Sequence, residues 1–471
     1  MKRLLPAPAL ALLLALLQGA CSGSGSQNGP VSPVGPVPAS SQRPGVPAAG
    51  YVALVDFNYI PCGVPYRLFQ QLSSVLGPQT TLPGRSGLNA NLPYFATAVT
   101  GETGIPVVTL NCLNCHAAFF DGKLVIGLGD STGDYTQDPT PYALALGSMT
   151  KTLEERLEWQ KWSERISAIG PYTTTSTVGV NPAENLSAAI FAHRDPRTLA
   201  WSHDPLMAPP LKQAPGLKVP PWWRVAKKNA LYYDTSGRGD HAREMMTASS
   251  LCTDTIAQAE QIDSFFPDIE AYIESIQPPV WPWAIDQTKA AQGKTVFEAT
   301  CSRCHGTYGP AGVYPNTVVD LPTIGSDPLL AQFETSGDWS RFTLWFNESF
   351  YGALGGLAPA PGYIAPPLDG VWATAPYLHN GSVPTIAAML DSTTRPTYWM
   401  RQSFSSTDYD PVNLGWNYQT LSAGKAGQTD PNMKSLVYDT TLPGYSNQGH
   451  TFGDALSASD RAAVLEYLKT L

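Results

Sequence analysis

The sequence predicts a mainly α, loop-rich protein built from two similar halves, and three observations lead there. The pentapeptide Cys-x-x-Cys-His occurs twice, as Cys112-Leu113-Asn114-Cys115-His116 and as Cys301-Ser302-Arg303-Cys304-His305. The chain carries 43 prolines and 41 glycines yet remains 43% hydrophobic, which calls for long ordered loops around a core rather than for disorder. The periodic apolar stretches have helical spacing, at residues 152–169, around 256–276, at 286–300 and at the C-terminal end.

Taken in chain order, Met1-Lys2-Arg3 followed by an apolar run to Leu17 and then by Gly19-Ala20-Cys21 reads as a secretory signal over residues 1–20. Cys21 after Gly19-Ala20 is placed as the acylated cysteine of a lipoprotein, so the expected location is exported, periplasmic or on the outer membrane of a bacterium. Membrane contact is expected only through that anchor. Residues 21–50 are rich in Ser, Gly, Pro and Ala and read as a flexible tether. Removing residues 1–20 takes away Lys2 and Arg3 and moves the formal charge from -9 to -11, which argues against nucleic acid as a partner.

Residues 51–280 form the first expected domain and residues 281–471 the second, with Pro278, Pro279 and Pro282 at the division. In the first, Gly104 to Leu110 is extended and leads into Cys112, and Phe119-Phe120-Asp121-Gly122 follows His116. The helix at 152–169 would turn Leu153, Leu157, Trp162, Ile166 and Ile169 inward. In the second, Asp286–Thr300 is a helix with Ala291, Val296 and Phe297 on its apolar face, running straight into Cys301. The last helix is capped by Ser457 or Ser459 and offers Val464, Leu465, Tyr467 and Leu468.

Two thiols and an imidazole at this spacing suit covalent attachment of haem: each Cys adds to a vinyl group and the adjacent His reaches the iron. Zinc binding would require further ligands within a small module, and a thioredoxin-type dithiol would require a βαβ context that neither motif has. The reading is therefore two covalently bound haem c groups, held by Cys112, Cys115, Cys301 and Cys304, with His116 and His305 as iron ligands. Cys62 and Cys252 remain, either as a disulfide suited to an oxidising compartment or as buried thiols.

A helix with Gly293 and Phe297 before Cys301, paired with a C-terminal helix carrying Tyr467-Leu468, resembles class I cytochrome c, in which first and last helices cross; Gly293 would permit the close crossing. The extended entry to Cys112, the Phe-Asp-Gly exit and the segment Thr374-Ala375-Pro376-Tyr377-Leu378-His379-Asn380-Gly381 resemble the superfamily of bacterial dihaem cytochrome c peroxidases, the dihaem enzyme of methylamine utilisation and the rubber oxygenases. The fold that this implies is two cytochrome c-like haem domains.

The resemblance implies a low-spin C-terminal haem that passes electrons to an N-terminal haem. No His falls between His116 and His193, so the ligand that closes the first iron in the peroxidases is missing, and that iron is expected open to peroxide or dioxygen. His241 would close it from afar, or is a surface or structural residue; His241 and Glu244 are also the candidate distal acid and base, and the catalytic residues stay unassigned. For the sixth ligand of the second iron, His450 ranks before Met389 and His379. Trp222 or Trp223 would relay electrons between the haems, or both simply pack. Calcium is implied between the domains through the carbonyls of Thr374 and Pro376, although the Asn that would complete the site is not evident. A small cytochrome or cupredoxin is implied as electron donor. Three functions compete: a peroxidase, an oxygenase that cleaves an organic substrate, and a dihaem electron carrier without catalysis.

Overall fold

The computed structural model describes residues 30–471; the expected signal segment and Cys21 lie outside the described residues. Helix makes up 39% and strand 13%, so helices and loops carry the architecture. Among the described residues the strands form sheets of only two or three strands, and no helix is long and apolar enough to cross a membrane.

The second motif is delivered by a helix pair. Asp286 caps the Gln287–Thr300 helix through the Lys289 amide at 3.0 Å, and Ser457 caps the Ala458–Leu468 helix through the Asp460 amide at 3.1 Å. The helices cross at Gly293, where a Cβ would lie 1.9 Å from the Ala463 carbonyl oxygen; only glycine allows that approach. Phe297 meets the Tyr467 ring at 5.2 Å beside the crossing. The inward face is Ala290, Gly293 and Phe297; Ala291, expected inside, is exposed.

The first motif is reached by an extended segment. Pro106–Leu110 pairs antiparallel with Ala96–Thr100 on one side and with Val64–Pro65 on the other, and ends just before Cys112. One helical turn, Leu113–His116, buries Leu113 completely. The hairpin Ala117–Phe120 and Lys123–Ile126 follows, turning at Asp121 (φ 48°) and Gly122 (φ 74°). Two consecutive positive φ values match the twist of a tight hairpin, which is why the chain has Asp-Gly there.

Three further sequence expectations change. In the Leu153–Ile169 helix Ile169 is buried and Trp162 and Ile166 are half-buried as expected, but Leu153 and Leu157 are exposed while Glu155, Glu158, Ser163 and Arg165 are buried. Each charge has partners: Glu155 pairs with Arg67 at 2.7 Å, Glu158 accepts from the Thr103 amide at 2.6 Å, and Arg165 pairs with Asp254 at 2.7 Å. Polar satisfaction thus overrides the apolar stripe. The stretch around 256–276 is two helices, Ile256–Asp263 and Phe266–Ser275, because Pro267 at the start of the second cannot continue the first. The described part of the expected tether is bound rather than loose. Gly35 and Pro36 pair with Val318 and Thr317, Val37 is buried, and Arg43 holds both Asp240 and Asp263 at 2.8–2.9 Å. Its small residues allow close approach: a Cβ on Gly50 would sit 1.8 Å from the Asp268 carbonyl oxygen.

The division near residue 280 does not separate the packing. Phe342, Trp345 and Phe346 from the Ser340–Glu348 helix enter the core formed largely by residues 53–273, where Trp345 stacks on Phe191 at 4.2 Å. In the reverse direction Phe120 enters the second core and meets the rings of Tyr409 at 5.0 Å and Trp372 at 5.3 Å. Long loops let each half lend aromatic residues to the other.

Cys62 and Cys252 form a disulfide with Cα atoms 5.6 Å apart. A non-reducing digest should therefore yield the two cysteines in one cross-linked peptide pair, and replacing both with Ser should cost about 2–4 kcal/mol in chemical denaturation. Gly293→Val should cost about 1–3 kcal/mol through overpacking. Ala291→Val on the exposed side of the same helix should stay within roughly 0.5 kcal/mol.

Candidate haem sites

At the first motif the thiols of Cys112 and Cys115 are unbridged and face neutral polar neighbours. The Cys115 sulfur lies 3.4 Å from the Asn181 amide nitrogen and 3.6 Å from the Tyr135 hydroxyl, and the Cys112 amide donates to the Tyr59 hydroxyl at 3.2 Å. Burial pushes the Cys112 thiol up to about 11. The His116 ring stacks on Trp222 with centroids 4.7 Å apart and planes 16° from parallel. Burial lowers the ring to about 4, against a backbone contact with Pro220 that raises it, so it stands neutral at pH 7. A neutral imidazole is the form that binds a metal.

At the second motif the imidazole is held more firmly. His305 Nδ1 lies 2.8 Å from the Pro366 carbonyl oxygen, which sets the proton on Nδ1 and leaves Nε2 as the free ligand atom. Pro366 is itself positioned by its neighbours. Tyr314 donates to the Ala365 carbonyl at 2.7 Å, and Tyr308 donates to the His305 carbonyl at 2.9 Å while accepting from the Leu368 amide at 2.6 Å. A cavity of about 200 Å³ opens here, lined by Lys227, His305, Thr307, Tyr308 and Tyr314 among others.

The structure brings His450 to this place, with its ring centroid 6.0 Å from that of His305. Imidazole nitrogens sit about 2 Å from a bound metal, so two rings on opposite sides of one ion have centroids roughly 6 Å apart. His450 Nδ1 has no hydrogen-bond partner, and burial, then repulsion from His305, lowers the ring to about 4. The backbone of His450 is left-handed at φ 47°, a costly conformation for a residue with a Cβ. Arg395 maintains it, donating to the carbonyls of Asn447, Gly449 and His450 at 2.6–3.1 Å.

The other ligand candidates lie elsewhere or serve other contacts. His379 stacks on Tyr363 at 4.1 Å, and its carbonyl accepts from the Lys218 amide at 2.8 Å. Met389 is partly buried against the second core. His241 is buried rather than on the surface, and its Nδ1 lies 3.8 Å from Glu270. Burial raises Glu270 to about 8 and holds Glu244 well above the usual carboxylate range, where Glu244 Oε1 accepts from the Gly356 amide at 2.8 Å. One turn spans the space between the motifs: Trp222 stacks on His116, while Trp223 Nε1 and Arg224 Nε donate to the Asp369 carbonyl at 2.8 and 3.0 Å.

The calcium expectation does not fit. The Thr374 carbonyl already accepts from the Lys218 ammonium, a cation where a second cation would have to bind. Among the described residues no group of three or more His, Cys, Asp or Glu is arranged to hold a metal ion. Sequence reasoning missed Pro366, Arg395 and Lys218. A carbonyl leaves no trace in side-chain identity, and the two cations sit far from the motifs in sequence.

Residues 362–400 match the model of a family described as RoxA-like, cytochrome c-like. The matched stretch contains Pro366, the Thr374–Gly381 segment and Arg395, and neither Cys-x-x-Cys-His motif. Over 297 residues the chain is 30% identical to the uncharacterized protein y4iJ of Sinorhizobium fredii strain NBRC 101917 / NGR234, covering 49% of this chain and 47% of that protein. Over 257 residues it is 24% identical to the uncharacterized protein y4iM of the same organism, covering 49% of this chain and 56% of that protein. The chain thus spans about half the length of the curated relatives it matches. The family match supports a RoxA-type cytochrome c relationship, which implies covalent haem c and is compatible with a haem oxidoreductase or electron-transfer role.

Proposed function

We propose that the protein is an exported dihaem c-type cytochrome oxidoreductase with two cytochrome c-like haem domains whose cores interlock. The observation that carries this reading is the facing of His305 and His450 at 6.0 Å, beside free Cys301 and Cys304, with His305 Nδ1 already engaged. Haem iron supplies one-electron exchange and, where a coordination position is open, binding of a small oxidant.

His305 and His450 would hold the second iron from both sides, a closed arrangement suited to storing and passing an electron. His116 would hold the first iron from one side. Trp222 packs face to face on His116, in the turn that also reaches Asp369 beside the second site, and gives an aromatic bridge between the two. Peroxide or dioxygen would meet the first iron, with electrons drawn from a small cytochrome or cupredoxin. His241 and Glu270 are buried with 3.8 Å between them, burial lowering the imidazole and raising the carboxyl; a peroxidase needs such groups to deliver a proton to a departing oxygen.

Electron paramagnetic resonance of the ferric holoprotein tests the assignment. One low-spin and one high-spin signal are expected, and His450→Ala should convert the low-spin signal to high-spin. An unchanged low-spin signal in that variant would remove His450 as ligand. Two low-spin signals in the parent protein would favour the electron carrier. With one haem open, reduced protein should consume hydrogen peroxide at the expense of a small cytochrome; stable dioxygen binding without peroxide turnover would favour the oxygenase.

A further inference from the structure

Arg224 is a buried cation with an unfinished set of contacts. It is 7% exposed, its Nε donates to the Asp369 carbonyl at 3.0 Å, and its Nη2 is buried with no partner. The neighbouring carboxylate does not serve it: the Asp369 side chain takes Lys227 Nζ at 2.7 and 2.8 Å. The tyrosine hydroxyls around the cavity are engaged as well, Tyr308 on the His305 carbonyl and Tyr314 on the Ala365 carbonyl. Burial, and then repulsion from Arg224, holds the Lys218 amine well below the usual lysine range; it donates to the Thr374 carbonyl and lies 5.2 Å from the centre of the Tyr377 ring.

A buried guanidinium without an anion is an unstable element of a fold, because desolvation is uncompensated. Its planar fork is matched to carboxylates. The empty donor stands at the second haem site: the Asp369 carbonyl that takes Arg224 lies three residues after the Pro366 carbonyl that holds His305, and Lys227, on the same turn as Arg224, lines the cavity beside His305. Haem carries two carboxylates on one edge, and among the described residues no carboxylate hydrogen-bonds to Arg224.

We infer that Arg224, with Lys218 beside it, is the anion anchor of the second site and receives the propionates of the haem attached at Cys301 and Cys304. This rests on the dihaem reading and adds a positioning role to it: the anchor sets the rotation of the haem about the His305–His450 axis and neutralises its negative edge. It also accounts for two like charges being buried together next to the Thr374 carbonyl, where calcium was expected.

The test uses the holoprotein and two readouts, the propionate-bending band of the low-spin haem in resonance Raman spectra and the reduction potential of that haem. In Arg224→Gln the band should move and the potential should shift negative, because a positive charge beside the iron favours the reduced state. Arg224→Lys keeps the charge and loses the fork, so the band should move while the potential stays near that of the parent. Lys218→Met should shift the potential negative by a smaller amount. If Arg224→Gln does not yield folded holoprotein, Arg224→Lys and Lys218→Met carry the test. An unchanged band and potential in every variant that retains the low-spin spectrum overturns the anchor. A parent protein whose second motif binds no haem in a pyridine haemochrome assay of the Cys112→Ala/Cys115→Ala variant overturns the dihaem reading itself, a different result.

Discussion

The hydrogen bond between His305 Nδ1 and the Pro366 carbonyl, 2.8 Å long, is the contact on which the second site depends. It joins a motif to a loop some sixty residues downstream in one step. With the proton fixed on Nδ1, Nε2 points away as the free lone pair, and a ring so bonded is a stronger donor to a metal. Everything around Pro366 serves to keep that carbonyl in place: Tyr308 ties His305 to Leu368, Tyr314 holds Ala365, and the Asp369 carbonyl takes both Trp223 and Arg224. The stretch that matches the RoxA-like family begins just before this loop. Its match is understandable physically, since the loop builds the site without containing a cysteine.

The two motifs are chemically alike and structurally unlike. His305 is bonded at Nδ1 to the Pro366 carbonyl and faces a second imidazole; His116 lies against the Pro220 backbone and is stacked on an indole. The two imidazoles therefore meet different partners beyond their motifs.

A chain with so many loops must satisfy its backbone carbonyls without ladders. Buried arginines do much of this. Arg85 donates to the carbonyls of Val55, Leu92, Pro93 and Ala96, and Arg194 to those of Leu199, Leu251 and Thr253. Arg395 does the same for the loop that carries His450. Five donors in a fixed fork gather several chain segments at one point, which a lysine cannot do as rigidly. Arg224 belongs to the same class and, like Arg194, leaves one buried donor without a partner among the described residues.

The Cys-x-x-Cys-His motifs, the helices that meet at Gly293 and the extended entry to Cys112 were legible in the sequence, because each is set by local chemistry: covalent spacing, capping and a glycine where backbones approach. His450 was legible as a candidate only because so few histidines exist. What the tertiary structure decided is everything that depends on distance through space. It brought His450 opposite His305, buried Glu155, Glu158 and Arg165 on the Leu153–Ile169 helix, and bound residues 30–50 that composition read as a tether. It also placed the Lys218 ammonium on the carbonyl expected to hold calcium, and interlocked the two cores across residue 280. Pairings between a carbonyl and a distant cation, or between aromatic rings lent across halves, have no period and no motif. They are fixed only when the chain has closed and water has been excluded.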